Sequence, residues 1–131
     1  MQSPEGRGRN EHRLLCVVDD DESVRESLPD LIKEFGFVAR AFSSAEEFLS
    51  SDSLDETSCL ILDIAMPGMS GPELREELKR RGREIPVIFI TGQRDETIRT
   101  RVLTQRVAGF LLKPFNDTDL LAAINTALQA I

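Results

Sequence analysis

The sequence predicts an α/β domain, a doubly wound five-stranded parallel sheet covered by five helices. Three observations carry that expectation. Short apolar runs alternate with amphipathic segments along the chain. The runs are continuously apolar, LLCVV, CLIL and VIFI among them, as in strands buried on both faces. Four of the five runs end in a charged or hydroxyl-bearing residue, and parallel strands deliver such ends to one edge.

The first strand is LLCVV (14–18). In the helix after it, Val24, Leu28, Leu31, Ile32 and Phe35 fall on one face, and Gly36 stops it. Pro29 inside that helix removes a hydrogen bond and is expected to kink it. FVARA (37–41) is the second strand, and Ser44 with Glu47 forms a capping box for a short helix through Leu49. After a polar loop, SSDSLDETS, CLIL (59–62) is the third strand and ends at Asp63. The turn-rich AMPGMSG leads to a helix with Pro72 near its start, Leu74 and Leu78 inward, and Gly82 as its stop. VIFI (87–90) ends at Thr91-Gly92, residues 95–106 form a charged fourth helix, and GFLL (109–112) ends at Lys113-Pro114. A fifth helix carries Leu120, Leu121, Ile124, Leu128 and Ile131.

The chain has 131 residues, which suits one domain, and 40% are hydrophobic, enough for a core. Residues 1–12 are polar and read as a disordered leader with a solvated His12, so the domain runs over 13–131. A net charge of -7 argues against direct nucleic-acid binding, which needs a basic face. No apolar run reaches the roughly 18 residues of a membrane span, and the polar start is not a signal peptide. A cytoplasmic domain without membrane attachment is expected, with Cys16 and Cys59 as reduced core thiols.

The chemistry collects at the strand ends. Asp19-Asp20-Asp21, Asp63, Thr91 and Lys113 would share one crevice. Crowded carboxylates repel, and a hard divalent cation such as Mg²⁺ relieves them, usually sharing its site with a phosphate. Thr91 and Lys113 offer that phosphate a hydroxyl donor and a point charge, and an aspartate can act as nucleophile. Singly, each group has a plainer reading: a solvated turn for the aspartates, a strand residue for Thr91, a surface lysine for Lys113. The case rests on their joint placement.

VVDDDESVRESL, LILDIAMPGMSGPEL, IPVIFITG and GFLLKPF, in this order, resemble the receiver domain of bacterial two-component response regulators. The likeness covers about residues 13–130 and is strongest to receivers of nitrogen-fixation-type, LuxR-class regulators. It implies a flavodoxin-like, CheY-like fold and a phosphoacceptor signalling domain rather than an enzyme. It further implies Asp63 as phosphoacceptor, with Mg²⁺ on Asp20 directly, on Asp19 mainly through water, and on Asp63 and the Ala65 carbonyl. Thr91 and Lys113 would contact the phosphoryl group, the Lys113-Pro114 bond would be cis, and Phe110 would be the aromatic switch. The implied partners are a histidine kinase or histidine phosphotransfer protein and an output protein of unknown identity. A homodimer through the face of the fourth helix, fifth strand and fifth helix is a further implication.

Several positions depart from the family pattern. Gln105-Arg106-Val107 replaces the usual Ala-Gly after the fourth helix, Pro29 interrupts the first, and Ala65 is small. A small Ala65 would let water reach the phosphoryl group, Gly92 would keep its approach open, and Asp21 is expected to cap the first helix. Two rivals stand beside the receiver. A haloacid-dehalogenase-type phosphatase would use the Asp19–Ser23 stretch, but needs a later acidic pair that only Asp117 and Asp119 could supply, and leaves Asp63 unexplained. A receiver-like interaction module that takes no phosphate would leave the full set Asp19, Asp20, Asp63, Thr91 and Lys113 without a role.

Overall fold

The structure is a computed structural model describing residues 13–92 and 107–129. Strand β1 is Leu14–Val18, β2 Val38–Phe42, β3 Thr57–Asp63, β4 Val87–Thr91 and β5 Gly109–Leu112. Among the described residues there are four α-helices: α1 Glu22–Glu34, α2 Ala45–Leu49, α3 Gly71–Arg80 and α4 Asp117–Gln129. Helix α4 is therefore the one the sequence places fifth. The expected helix over 95–106, the Gln105-Arg106 departure and the leader with His12 lie outside the described residues.

All strands are parallel, in the order β2-β1-β3-β4-β5. Every residue of β1 and β4 is buried, because each strand presents alternate side chains to two covered faces. One core layer takes Cys16, Val18, Leu60, Leu62 and Phe89 and is closed by Phe48 of α2 and by Leu74 and Leu78 of α3. The other takes Leu15, Val17, Ile61, Ile88 and Ile90 and is closed by Leu28 and Ile32 of α1 and by Leu120, Ile124 and Leu128 of α4. Full burial of each such side chain contributes about 1.5–3 kcal/mol.

Register brings the polar strand ends together. Val18 lies opposite Leu62, Asp63 opposite Ile90, and Thr91 opposite Leu112. Asp19 and Lys113, one residue beyond β1 and β5, therefore arrive at the edge that Asp63 and Thr91 already occupy.

Local signals held, with some shifts. Asp21 caps α1, accepting from Ser23 N at 2.9 Å and Ser23 Oγ at 2.7 Å. Those bonds, the side-chain one first, hold its carboxyl below the usual carboxylate range. Gly36 and Gly82 sit just past α1 and α3 at positive φ (100° and 74°), as helix stops do. Helix α1 runs through Pro29, which is buried against the core. The capping box expected at Ser44 forms only in part: Ser44 Oγ accepts from Glu47 N, but Glu47 reaches back to Ser43 N at 2.6 Å. A complete box sits instead at Ser70 and Glu73, opening α3. Strand β2 starts one residue later than expected. Strand β3 starts two earlier, at Thr57, and a 3₁₀ turn, Asp52–Asp55, occupies the polar loop.

Both cysteines are free and buried. They belong to opposite core layers, so they do not face each other. Burial pushes the thiols up, Cys16 to about 11 and Cys59 to about 12. Neither is expected to react with an aromatic disulfide reagent at about pH 8 while the chain is folded, and both should react in denaturant. Rapid labelling of either in the native protein would contradict this packing.

Candidate functional site

The loop after β1 starts the site. Asp19 is fully buried, and each of its four polar atoms is engaged. Its amide donates to Phe42 O of β2 at 3.1 Å, and its carbonyl accepts from Arg25 Nη1 of α1 at 3.0 Å. Its Oδ1 accepts from Asp21 N at 2.9 Å, and its Oδ2 lies 2.9 Å from Lys113 Nζ. That last contact is an ion pair without a directed hydrogen bond, so a fully buried carboxylate oxygen relies on one ammonium. Asp20 is exposed, and Asp63 enters from the end of β3, 6% exposed. One carboxylate oxygen from each of Asp19, Asp20 and Asp63 lies within 4.8 Å of the others. Among the described residues this is the only such acidic group that could hold a metal ion.

Burial, and then the charge of Asp19, push the Asp63 carboxyl up to about 7, against the downward pull of Lys113. Asp20 adds a smaller push. For Lys113, burial alone would favour the neutral amine. Its contact with Asp19, and the charges of Asp19, Asp63 and Asp21, outweigh that and hold the ammonium above its ordinary value. The site thus carries an excess of negative charge. Three carboxylates around one ammonium suit a hard, oxygen-preferring divalent cation, and Mg²⁺ fits that donor set.

Thr91 closes the far side. It is buried at the end of β4, and its carbonyl accepts from Lys113 N at 2.8 Å, which fixes where β5 delivers the lysine. The Lys113-Pro114 bond is cis. Phe110 is half-buried, opposite Phe89 in the register, and packs on the layer closed by α2 and α3. Ala65 is exposed, two residues past Asp63. A Cβ added at Gly92 would meet only Lys113 Cδ, at 3.9 Å, so packing within the protein does not require glycine there. Asp117 and Asp119 lie exposed in the first turn of α4, outside the acidic group, which removes the pair a dehalogenase-type phosphatase would need.

Sequence reading missed three contributors. Gly71 has no room for a side chain, since a Cβ would lie 2.4 Å from the Asp63 carbonyl oxygen. The loop after Asp63 folds back that tightly because Gly71 N bonds to Ile64 O at 3.0 Å. A glycine in the first helical position, directly after the cap Ser70, was the available signal. Glu46 of α2 accepts from Met69 N at 3.2 Å and pins the same loop, a contact across sequence that no local pattern announces. Arg25 is the third.

Comparison with known proteins agrees with this geometry. The family model described as "Response regulator receiver domain" matches residues 15–125. Nodulation protein W of Bradyrhizobium diazoefficiens is 43% identical over 116 residues, 88% of this chain and 51% of that protein. The transcriptional regulatory protein FixJ of Azorhizobium caulinodans is 38% identical over 112 residues, 86% of this chain and 53% of that one. Among solved structures, response regulator StyR matches with a TM-score of 0.82 and 41% identity, covering 91% of this chain and 60% of its own. The solved structure of FixJ-N matches with a TM-score of 0.81 and 34% identity, covering 91% of this chain and 95% of its own. The chain spans about half the length of the curated relatives it matches.

The raised Asp63 carboxyl has a stability consequence. Its folded value, about 7, exceeds the unfolded 3.8, so between those limits the folded state holds more protons and stability falls as pH rises. Asp63→Asn removes this loss. In chelator it is expected to be more stable than the parent by about 1–3 kcal/mol at about pH 8, and nearly equal at about pH 4. Urea melts at both pH values measure this, and a pH-independent difference would refute it.

Proposed function

The chain belongs to the response regulator receiver domain family, and on that premise we propose that Asp63 accepts a phosphoryl group from a partner histidine kinase or histidine phosphotransfer protein. The observation that carries the reading is the three-carboxylate group with Asp19 Oδ2 buried against Lys113. Asp20, Asp19 (through water), Asp63 and the Ala65 carbonyl would hold Mg²⁺. When bound, it neutralises charge on the carboxylates and on the incoming phosphoryl oxygens.

The remaining work falls to the chain's own groups. A carboxylate oxygen of Asp63 attacks the phosphorus of a phosphohistidine. The P–N bond breaks, its electron pair returns to the imidazole nitrogen, and that nitrogen takes up a proton. An acyl phosphate remains on Asp63. Lys113 stays within reach as a point charge for the new oxygens, and the Thr91 hydroxyl donates to one of them.

Thr91 and Phe110 couple this chemistry to output. Both fall on the strand alternation of Phe89, so a shift of Thr91 toward a phosphoryl group vacates space on the side where Phe110 packs. Phosphorylation would bias an existing equilibrium between two arrangements of the face that includes β5 and α4. That face would meet the output protein or a second copy of the chain. Receivers are signalling domains, and we assign this one to the cytoplasm, acting by protein contact. No helix among the described residues is long and apolar enough to cross a membrane.

The test uses acetyl phosphate and Mg²⁺ with intact-mass measurement. The parent is expected to gain one phosphoryl group only with Mg²⁺, and Asp63→Ala none. An unlabelled parent, under conditions that label a known receiver, would favour the interaction-module reading.

The exposed, small Ala65 leaves the acyl phosphate open to water. Ala65→Arg and Ala65→Asn should therefore lengthen its lifetime several-fold. Lifetimes equal to the parent's would show that water enters by another route.

A further inference from the structure

We propose that Arg25 is the positioning residue that aims Asp20 at the metal. This rests on the receiver reading above and assigns a role to a side chain that reading does not use. Asp20 is the least restrained member of the acidic group. It is exposed, and among the described residues no hydrogen bond holds its carboxylate. Its direction is therefore set by the backbone on either side.

That backbone is fixed at two points. Asp21 N is held by Asp19 Oδ1 at 2.9 Å, and the Asp19 carbonyl is held by Arg25 Nη1 at 3.0 Å. The Asp19 carbonyl lies past the last ladder pair of β1, Val18 with Phe42 and Leu62, so no neighbouring strand satisfies it. Arg25 reaches it from the first turn of α1, and α1 is itself started by Asp21. The side chain is half-buried, which limits the rotamers available to the guanidinium. One arginine thus ties the start of the helix back to the peptide unit that carries Asp20. Without that tie, the Asp19–Asp20 peptide can rotate and swing the Asp20 carboxylate away from Asp63.

The sign of the effect separates positioning from simple charge. Arg25 is a cation beside an acidic hole. If it acted only through its charge, removing it would relieve repulsion and tighten Mg²⁺ binding. A positioning role gives the opposite sign. Loss of a residue that orients a metal ligand weakens metal binding about 10- to 100-fold.

The experiment compares the parent with Arg25→Met and Arg25→Lys by calorimetric Mg²⁺ titration. It adds amide hydrogen exchange at Asp21 in metal-free protein and thermal melting. Arg25→Met is expected to weaken Mg²⁺ binding about tenfold and to speed exchange at the Asp21 amide. Arg25→Lys, which keeps the charge and one donor, should recover part of both. Unchanged or tighter Mg²⁺ binding in Arg25→Met would overturn the proposal, as would a lowered melting temperature with neither binding nor exchange altered. A parent that binds no Mg²⁺ would instead sink the receiver reading. The exchange data would still decide whether Arg25 holds the turn.

Discussion

Asp19 is the constraint on which the rest of the site depends. Its side chain is buried without a directed hydrogen bond to one oxygen, an arrangement that costs several kcal/mol unless a cation stands by. Lys113 stands by at 2.9 Å, and it can do so only because β5 pairs with β4 in the observed register. The backbone of Asp19 in turn ties β2 to α1, through Phe42 and Arg25. The buried charge that looks like a defect therefore locates three elements relative to one another. It also leaves Asp63 in surroundings where its own negative charge is unwelcome.

Cost and function coincide here. A carboxylate pushed up to about 7 by burial and by a neighbouring carboxylate is destabilised in its charged form. A cation bound among the carboxylates would relieve this penalty, whereas a phosphoryl group on Asp63 would add negative charge and so increase the demand for that cation. Lys113 alone only partly offsets the repulsion, because one ammonium faces three carboxylates. A fully neutralised site would have no need of metal, and a site without Lys113 would be harder to keep folded.

Much of the fold was legible because continuous apolar runs and helix stops are local signals. LLCVV and GFLL became strands with the expected ends, and Gly36 and Gly82 stop helices where expected. The strand-end rule also brought Asp19, Asp63, Thr91 and Lys113 to one edge, since parallel strands leave little choice. What stayed hidden was long-range. Glu46 holding Met69, and Gly71 pressed on the Asp63 carbonyl, depend on how loops fold over one another. The capping box was misplaced for a related reason. S-x-x-E occurs at both Ser44 and Ser70, and only the structure shows that Glu47 spends its carboxylate on Ser43.

The alternation of side chains along the strands also limits how a signal can leave the site. Asp63 follows Cys59 and Ile61, whose side chains enter the layer under α1 and α4. Thr91 follows Val87 and Phe89, whose side chains enter the layer under α2 and α3, where Phe110 also packs. Of these two in-strand residues at the polar edge, only Thr91 shares the alternation of Phe110. On the receiver reading proposed above, a change at Asp63 would reach that layer by displacing Thr91, and interiors packed as densely as crystals respond to such displacement by switching rather than by gradual deformation. A half-buried aromatic packed on that layer suits such a step. Phe110 is only half-buried there, so on that reading it would have contact to favour one arrangement and exposure to leave it.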